Sequence, residues 1–75
     1  MSKLPLITAK ELIKLLKELG FDVIRQRGSH IFLSHPDGRT TLIPMHPGET
    51  ISRGLLIKII KEDIKISKED FLYLL

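Results

Sequence analysis

Apolar side chains recur at helical spacing in the first quarter of the chain, with lysines and glutamates between them. The apolar positions are Leu12, Ile13, Leu15, Leu16 and Leu19. Thr8 and Glu11 precede this stripe with the spacing of a capping box, in which each side chain accepts a hydrogen bond from a free backbone N–H. Gly20 favours the left-handed conformation that often ends a helix. The pattern predicts an amphipathic helix that begins after Thr8 and ends before Gly20.

Three short runs of β-forming residues follow the helix, at residues 21–27, 30–35 and 39–43. Gly28-Ser29 joins the first two runs, and a two-residue turn with glycine in first position is typical of a type II′ hairpin. The Pro-Asp-Gly sequence at 36–38 predicts the turn before the third strand, which Pro44 ends. The sequence therefore predicts a three-stranded antiparallel sheet.

The predicted hairpin places Arg27 opposite His30 and Arg25 opposite Phe32. Both faces of this sheet are partly apolar. Phe21, Val23 and Phe32 fall on one face, whereas Ile24, Ile31 and Leu33 fall on the other. Alternation alone does not identify the buried face. Either a bulge at Gly28-Ser29 shifts the register, or the second apolar face meets a partner.

The last third of the chain predicts two more helices. After a loop at residues 45–49, a helix starts near Ser52 with an apolar stripe of Leu55, Leu56, Ile59 and Ile60. A short helix begins at Ser67, with Ile66 and Phe71 placed as a hydrophobic staple. The order α-β-β-β-α with a short C-terminal helix predicts one α+β domain over residues 1–75, in which helices cover one face of the sheet.

Composition narrows the class of function only slightly. Seventy-five residues form a single domain with a small core. Twelve Lys and Arg against nine Asp and Glu give a charge of +3, which mildly favours an anionic partner. The absence of cysteine excludes disulfides and thiolate metal sites. Every apolar run is short and interrupted by charge, so we predict no membrane contact and expect a cytoplasmic protein.

Candidate chemistry concentrates in residues 25–32. Histidine gives and takes protons near neutral pH, which makes His30 the candidate general acid or base. Arg25 and Arg27 are suited to gripping phosphate. Gly28 permits a sharp turn or a close approach to a ligand, and Ser29 is placed to position a phosphate. Together these residues indicate proton transfer beside a polyanion, as in RNA cleavage.

Other polar residues are ambiguous from the sequence. Arg39 follows the second turn, and Arg53 and Lys58 lie near the start of the second helix, where backbone N–H groups favour phosphate. Each is equally an ordinary solvated residue. His35 and His46 lie beside prolines in loops or at strand ends. His46 is either a substrate contact or a structural loop residue, and we expect the structural role. No carboxylate pattern accompanies the three histidines, so we predict neither a metal site nor a cofactor.

The ordered set of segments 4–9, 19–21, 25–30, 35–39, 44–46 and 51–56 resembles the HicA-type toxins of bacterial toxin–antitoxin systems. The resemblance covers nearly the whole chain. It implies a double-stranded-RNA-binding-like fold, cleavage of messenger RNA, and neutralisation by a HicB-type antitoxin. It also marks the histidine of the Gly-Ser-His motif, His30, as the catalytic residue. Arg25, Arg27, Gly28, Ser29, Arg39 and Arg53 are then the predicted RNA-binding residues.

Two alternatives from other classes remain open. One is a non-catalytic RNA-binding module of the same fold, which binds RNA in a salt-sensitive manner without cutting it. The other is an interaction domain whose apolar sheet face binds a protein and which has no affinity for RNA. Incubation of RNA with the pure protein distinguishes all three functions.

Overall fold

The chain folds into one antiparallel sheet and a set of short helices, and the computed structural model describes residues 4–75. The elements in chain order are α1 (Ala9–Glu18), β1 (Asp22–Arg27), β2 (His30–Ser34), β3 (Thr40–Pro44), α2 (Arg53–Lys58), a π-helical segment (Ile59–Ile64) and α3 (Lys68–Leu74). The strand order is β1-β2-β3. This confirms the predicted α+β fold with α-β-β-β-α order. No helix within residues 4–75 is long and apolar enough to cross a membrane.

Helix α1 has both of the ends that the sequence predicts. The Thr8 hydroxyl accepts a hydrogen bond from the Glu11 N–H at 3.1 Å, and the Glu11 carboxylate accepts one from the Thr8 N–H at 3.2 Å. Gly20 follows the helix with a φ of +103°. The buried face of the helix consists of Ala9, Leu12, Ile13 and Leu16. Local signals therefore define α1 completely, and its apolar stripe orients it towards the sheet.

The hairpin turn is of the predicted type. Gly28 has a φ of +60°, and Lys65 is the one non-glycine residue with positive φ among residues 4–75, so Ser29 has negative φ. Positive φ at only the first central position is the pattern of a type II′ turn. The predicted pairs Arg27 with His30 and Arg25 with Phe32 are both confirmed.

A β-bulge lies in β1. The register shifts between Val23 and Arg25, so Ile24 is the extra residue, and the bulge at Gly28-Ser29 that was one of the two alternatives is not observed. The turn is regular because the tight glycine turn already fits the strand twist. With Ile24 set aside, Val23 pairs with Leu33. The bulge therefore places Val23 on the same face as Leu33 and Arg25 on the opposite face, with Phe32.

The inner face of the sheet, which we define by Ile31, Leu33, Thr41 and Ile43, is buried. These residues share one face because each pair, Ile31 with Ile43 and Leu33 with Thr41, lies directly across the β2–β3 ladder. The fully buried core also contains Phe21, Leu12, Leu16, Leu56, Ile59, Ile60, Ile64 and Phe71.

The predicted strands differ from the observed ones by single residues, since Phe21 precedes β1, His35 and Arg39 belong to the turn, and Pro44 ends β3.

The second helix begins as predicted and continues further. Ser52 caps α2 by accepting a hydrogen bond from the Leu55 N–H. The predicted apolar stripe ends at Ile60, whereas the observed helix widens into the π-helical segment and buries Ile64 as well. Lys65 then ends the segment in the left-handed conformation. Ser67 caps α3, whose Phe71 is buried in the core.

Gly20 and His35 lie against each other beneath the end of α1. The His35 Nε2 is 3.2 Å from the Leu19 carbonyl oxygen, and its Nδ1 accepts a hydrogen bond from the Asp37 N–H at 3.1 Å. A carbonyl oxygen only accepts, so Nε2 is the donor in the contact with Leu19. The ring also packs edge-on against Phe21, with centroids 5.1 Å apart. His35 therefore has a structural role, joining the end of α1 to the turn before β3.

Substitution of Gly20 tests this packing. Its φ is unfavourable for an L-residue, and an added Cβ would lie 2.9 Å from His35 Nε2. Gly38 is a matched control, because its φ of +101° is similar but its Cβ would meet nothing within 4 Å. We expect Gly38→Ala to lower the free energy of unfolding by about 1 kcal/mol and Gly20→Ala by about 2–4 kcal/mol. Urea unfolding of both variants measures the difference, and equal losses would contradict it.

Candidate nucleic-acid interface

The outer face of the sheet, which we define by Arg25, Arg27, His30, Phe32 and Leu42, brings the main candidate residues together. Residues directly opposite each other in an antiparallel ladder point to the same side. Arg27, His30 and Pro44 form one cross-strand row, and Arg25, Phe32 and Leu42 form the next. His30 and Phe32 are two residues apart in β2, so the two rows share a face. The structure therefore places His30 between Arg27 of β1 and Pro44 of β3.

His30 is exposed and lines a shallow depression of about 270 Å³. Leu42 and Pro44 of β3 form one wall, and residues of α2 and the π-helical segment form the other. Two charged side chains, Lys58 and Asp63, also line this depression. An imidazole, an ammonium and a carboxylate in one open depression provide the groups for proton transfer beside an anion.

Asp63 is the residue of this depression that sequence reasoning missed. Its carboxylate accepts a hydrogen bond from the Thr41 hydroxyl at 2.9 Å, which ties the π-helical segment to β3. Thr41 is buried and Asp63 is partly buried, so one carboxylate oxygen is held in place. Asp63 and His30 are far apart in the chain, and no local pattern marks them as neighbours. The helical periodicity of the segment was the only available signal, and the π-helical turn shifts that periodicity.

Arg25 is held over an aromatic ring. Its guanidinium carbon lies 4.7 Å from the centroid of Phe32, within the range of a cation–π contact. Ile24, Phe32 and Leu42 line a second shallow depression of about 380 Å³ on this face, and Ile24 is 63% exposed. Within residues 4–75, neither Arg25 nor Arg27 forms an ion pair. Both guanidinium groups are therefore available to an external anion.

The turn beside His30 is fastened to the rest of the fold. The Ser29 carbonyl accepts a hydrogen bond from the Met45 N–H at 2.6 Å, and the Gln26 side chain donates to the Gly28 carbonyl at 3.3 Å. Gly28 is exposed and Ser29 is partly exposed. The turn thus presents the backbone next to His30 in a fixed position, which suits a group that must be aligned with a substrate.

Arg39 lies apart from the outer-face arginines and is engaged within the fold. Its Nε donates to the Asp37 carboxylate at 2.7 Å, its terminal N–H donates to the Ile64 carbonyl, and its guanidinium carbon is 5.2 Å from the Phe21 ring centroid. The Arg39 backbone N–H also donates to Asp37, and this bond, reinforced by the guanidinium, holds the pKa of Asp37 below its ordinary value. These contacts fasten the second turn to the core.

Arg53 and His46 are also apart from the outer face. The Arg53 Nε donates to the Leu4 carbonyl at 3.0 Å, which ties the start of α2 to the N-terminal segment. His46 is exposed in the loop after β3 and borders a different, smaller depression. Within residues 4–75, no three His, Asp or Glu side chains lie close enough to hold a metal ion together.

The structure thus defines a small α+β domain whose outer sheet face carries two arginines and an exposed histidine. Residues 9–64 match the family model described as HicA toxin of bacterial toxin–antitoxin. Because the match covers more than half of the chain, this protein belongs to the HicA toxin family. No curated protein matches the chain. The matched region begins with α1 and ends at Ile64, the last residue of the π-helical segment.

Family membership makes the chain the toxin component of a toxin–antitoxin system, and it implies a cognate antitoxin. The match includes every residue of the outer face. It also includes the loop and helix that carry His46, Arg53 and Lys58.

Paired substitutions separate fold-stabilising arginines from exposed ones. We expect Arg39→Gln to lower the free energy of unfolding by about 1–3 kcal/mol, because it removes contacts to Asp37, to the Ile64 carbonyl and to Phe21. Arg27→Gln carries the same chemical change on an exposed strand and should alter stability by less than about 0.5 kcal/mol. Urea denaturation measures both variants. Similar stability of the two proteins would show that the Arg39 contacts contribute nothing.

Proposed function

We propose that this toxin is an endoribonuclease that cleaves messenger RNA, with His30 as its catalytic residue. The observation that supports this most is the position of His30 on the exposed outer face, in the same row as Arg27 and in a depression with Lys58 and Asp63. A toxin must act on a target whose loss stops growth. RNA is such a target, and its negative charge complements the arginines of the outer face. The proposed compartment is the cytoplasm, where messenger RNA is translated.

The proposed chemistry is metal-independent transesterification. His30 acts as general base on a ribose 2′-hydroxyl, or as general acid towards the leaving 5′-oxygen. The 2′-oxygen bonds to the adjacent phosphorus, the bond from phosphorus to the 5′-oxygen breaks, and that oxygen takes up a proton. The products are a 2′,3′-cyclic phosphate and a 5′-hydroxyl. Such a reaction requires proton transfer and charge stabilisation, and it requires no cofactor.

The arginines supply the charge stabilisation in this proposal. Negative charge builds up on the phosphoryl oxygens in the transition state, and fixed cations stabilise it best. Arg27 lies directly opposite His30, and Arg25 is restrained over Phe32 in the neighbouring row. Gly28 and Ser29 contribute backbone and hydroxyl groups at the turn. Arg39 and Arg53 remain proposed RNA contacts through their remaining N–H groups, although each already has a partner within the fold.

A HicB-type antitoxin is the proposed inhibitor. The outer face combines cations with exposed apolar side chains, among them Ile24 and Leu42, and such a mixed surface suits a protein partner as well as RNA. A partner that covers residues 25–32 with an acidic surface excludes RNA and associates rapidly. Inhibition by steric occlusion follows from this arrangement without any change in the toxin's conformation.

Substitution of His30 tests the proposed activity. We expect His30→Ala to remove RNA cleavage and growth arrest while leaving stability nearly unchanged, since the side chain is exposed. His46→Ala is the matched control, because His46 is also exposed but lies outside the outer face. A gel of RNA incubated with each pure protein shows cleavage, and end analysis identifies the cyclic phosphate. EDTA should leave the reaction unchanged, and a HicB-type antitoxin should stop it.

The same gel distinguishes the remaining functions. Cleavage by His30→Ala at the wild-type rate would remove His30 from the mechanism. RNA binding by the wild type without any cleavage would identify a non-catalytic RNA-binding module instead. Absence of both binding and cleavage would leave the outer face as a surface for protein alone.

Salt dependence tests the proposed role of the two arginines. Each phosphate contact to single-stranded RNA contributes roughly 0.7 to the slope of log K against log salt concentration. The double variant Arg25→Gln with Arg27→Gln should therefore reduce the slope by about 1.4. A control with two lysine substitutions, Lys61→Gln and Lys68→Gln, removes the same charge away from the outer face. Equal slopes for both double variants would show that these arginines make no phosphate contacts.

A further inference from the structure

A groove lies on the side of the sheet opposite His30. It has a volume of about 600 Å³ and runs between helix α1 and the edge strand β1. We call it the α1–β1 groove and define it by an apolar floor and a cationic rim. The floor is formed by Ile13, Val23, Ile31 and Met45. The rim is formed by Lys10, Lys14 and Lys17 of α1.

The groove exists because the sheet is covered unevenly. At one edge of the sheet, β3 is tied to the π-helical segment by the hydrogen bond between Thr41 and Asp63. At the other edge, every residue of β1 is exposed, and no strand within residues 4–75 pairs with the free edge of β1. Val23 is 42% exposed although its cross-strand partner Leu33 is completely buried. The inner face therefore extends beyond the cover that α1 provides.

The charges at the rim are unbalanced. Glu11 is the one acidic residue that lines the groove, and its carboxylate is already bonded to the Thr8 N–H and hydroxyl as part of the cap. The three lysines lie on successive turns of one helix face, where their repulsion is relieved by an anionic partner. The groove is therefore suited to a ligand that carries negative charge together with apolar groups.

We propose that the α1–β1 groove binds an extended acidic segment of a partner protein, in which acidic and apolar side chains alternate. An extended chain fits because the groove runs along β1. Successive side chains of an extended chain point in opposite directions, so apolar ones can contact the floor while acidic ones project away from it towards the lysines of the rim. RNA is the less suitable occupant, because none of the lining residues is aromatic and the floor offers no base a stacking surface.

A second copy of this chain is also a poor occupant. Pairing of two β1 edges would bring together the arginines of both copies, and each chain has a net charge of +3. The bulge at Ile24 further interrupts the ladder that such pairing needs. The proposal does not depend on RNA cleavage, since the groove and the outer face lie on opposite sides of the sheet.

Peptide binding tests the proposal. The ligand is a fluorescently labelled synthetic peptide that alternates glutamate and valine, and the comparison peptide alternates lysine and valine. Fluorescence anisotropy with the full chain should show binding of the acidic peptide only, weakening as salt rises. The double variant Lys14→Glu with Lys17→Glu should bind it roughly tenfold more weakly. The charge-matched control Lys61→Glu with Lys68→Glu, outside the groove, should bind it like the wild type.

A second pair of variants examines the floor. Val23→Asp places a negative charge in the groove and should remove binding of the acidic peptide, whereas Ile24→Asp places it at the neighbouring position of the same edge strand and should not. Thermal unfolding followed by circular dichroism verifies that each variant is folded. Absence of binding by the wild type, or equal losses in the two charge-reversal variants, would overturn the proposal. A third result would also overturn it. If the wild type binds no acidic peptide and the Lys14 and Lys17 variant loses RNA binding, the lysines belong to an RNA site.

Discussion

The burial of Ile31 and Leu33 against the rest of the core is the constraint on which the arrangement of this molecule depends. Successive side chains of a strand point to opposite faces, so burying these two residues forces His30 and Phe32 outwards. The hairpin then carries Arg27 and Arg25 to the same side. The chemistry of the outer face is thus a direct result of hydrophobic burial on the inner face, and a shift of one residue in β2 would bury His30 instead.

The bulge at Ile24 reconciles the first strand with this constraint. Without an extra residue, the register set by the turn would pair Ile24 with Leu33 and would turn Val23 away from the inner face. With the bulge, Val23 takes the position opposite Leu33. Ile24 is left 63% exposed at the edge, beside the residues of the proposed RNA site. An apolar residue in that position is expected of a surface that a protein partner covers.

Features with local causes could be predicted from the sequence, and features that depend on distant contacts could not. The caps at Thr8, Ser52 and Ser67 and the turn at Gly28-Ser29 each depend on a few neighbouring residues, and all are observed. The contact of Arg39 with the Ile64 carbonyl joins residues 25 positions apart, and sequence alone left that arginine ambiguous. The position of Asp63 in the depression that His30 also lines depends on the π-helical segment, which simple helical periodicity does not describe.

The contacts of His35 have a consequence for the mechanics of the molecule. Its Nε2 lies 3.2 Å from the Leu19 carbonyl oxygen, its Nδ1 accepts a hydrogen bond from the Asp37 N–H, and its ring packs edge-on against Phe21. One side chain therefore joins the end of α1 to the turn at residues 35–39, which lies at the end of β2 away from His30. At the other end of β2, the Met45 N–H fastens the turn at Gly28-Ser29. The central strand is thus held at both ends, and it gives the outer face a stiff support.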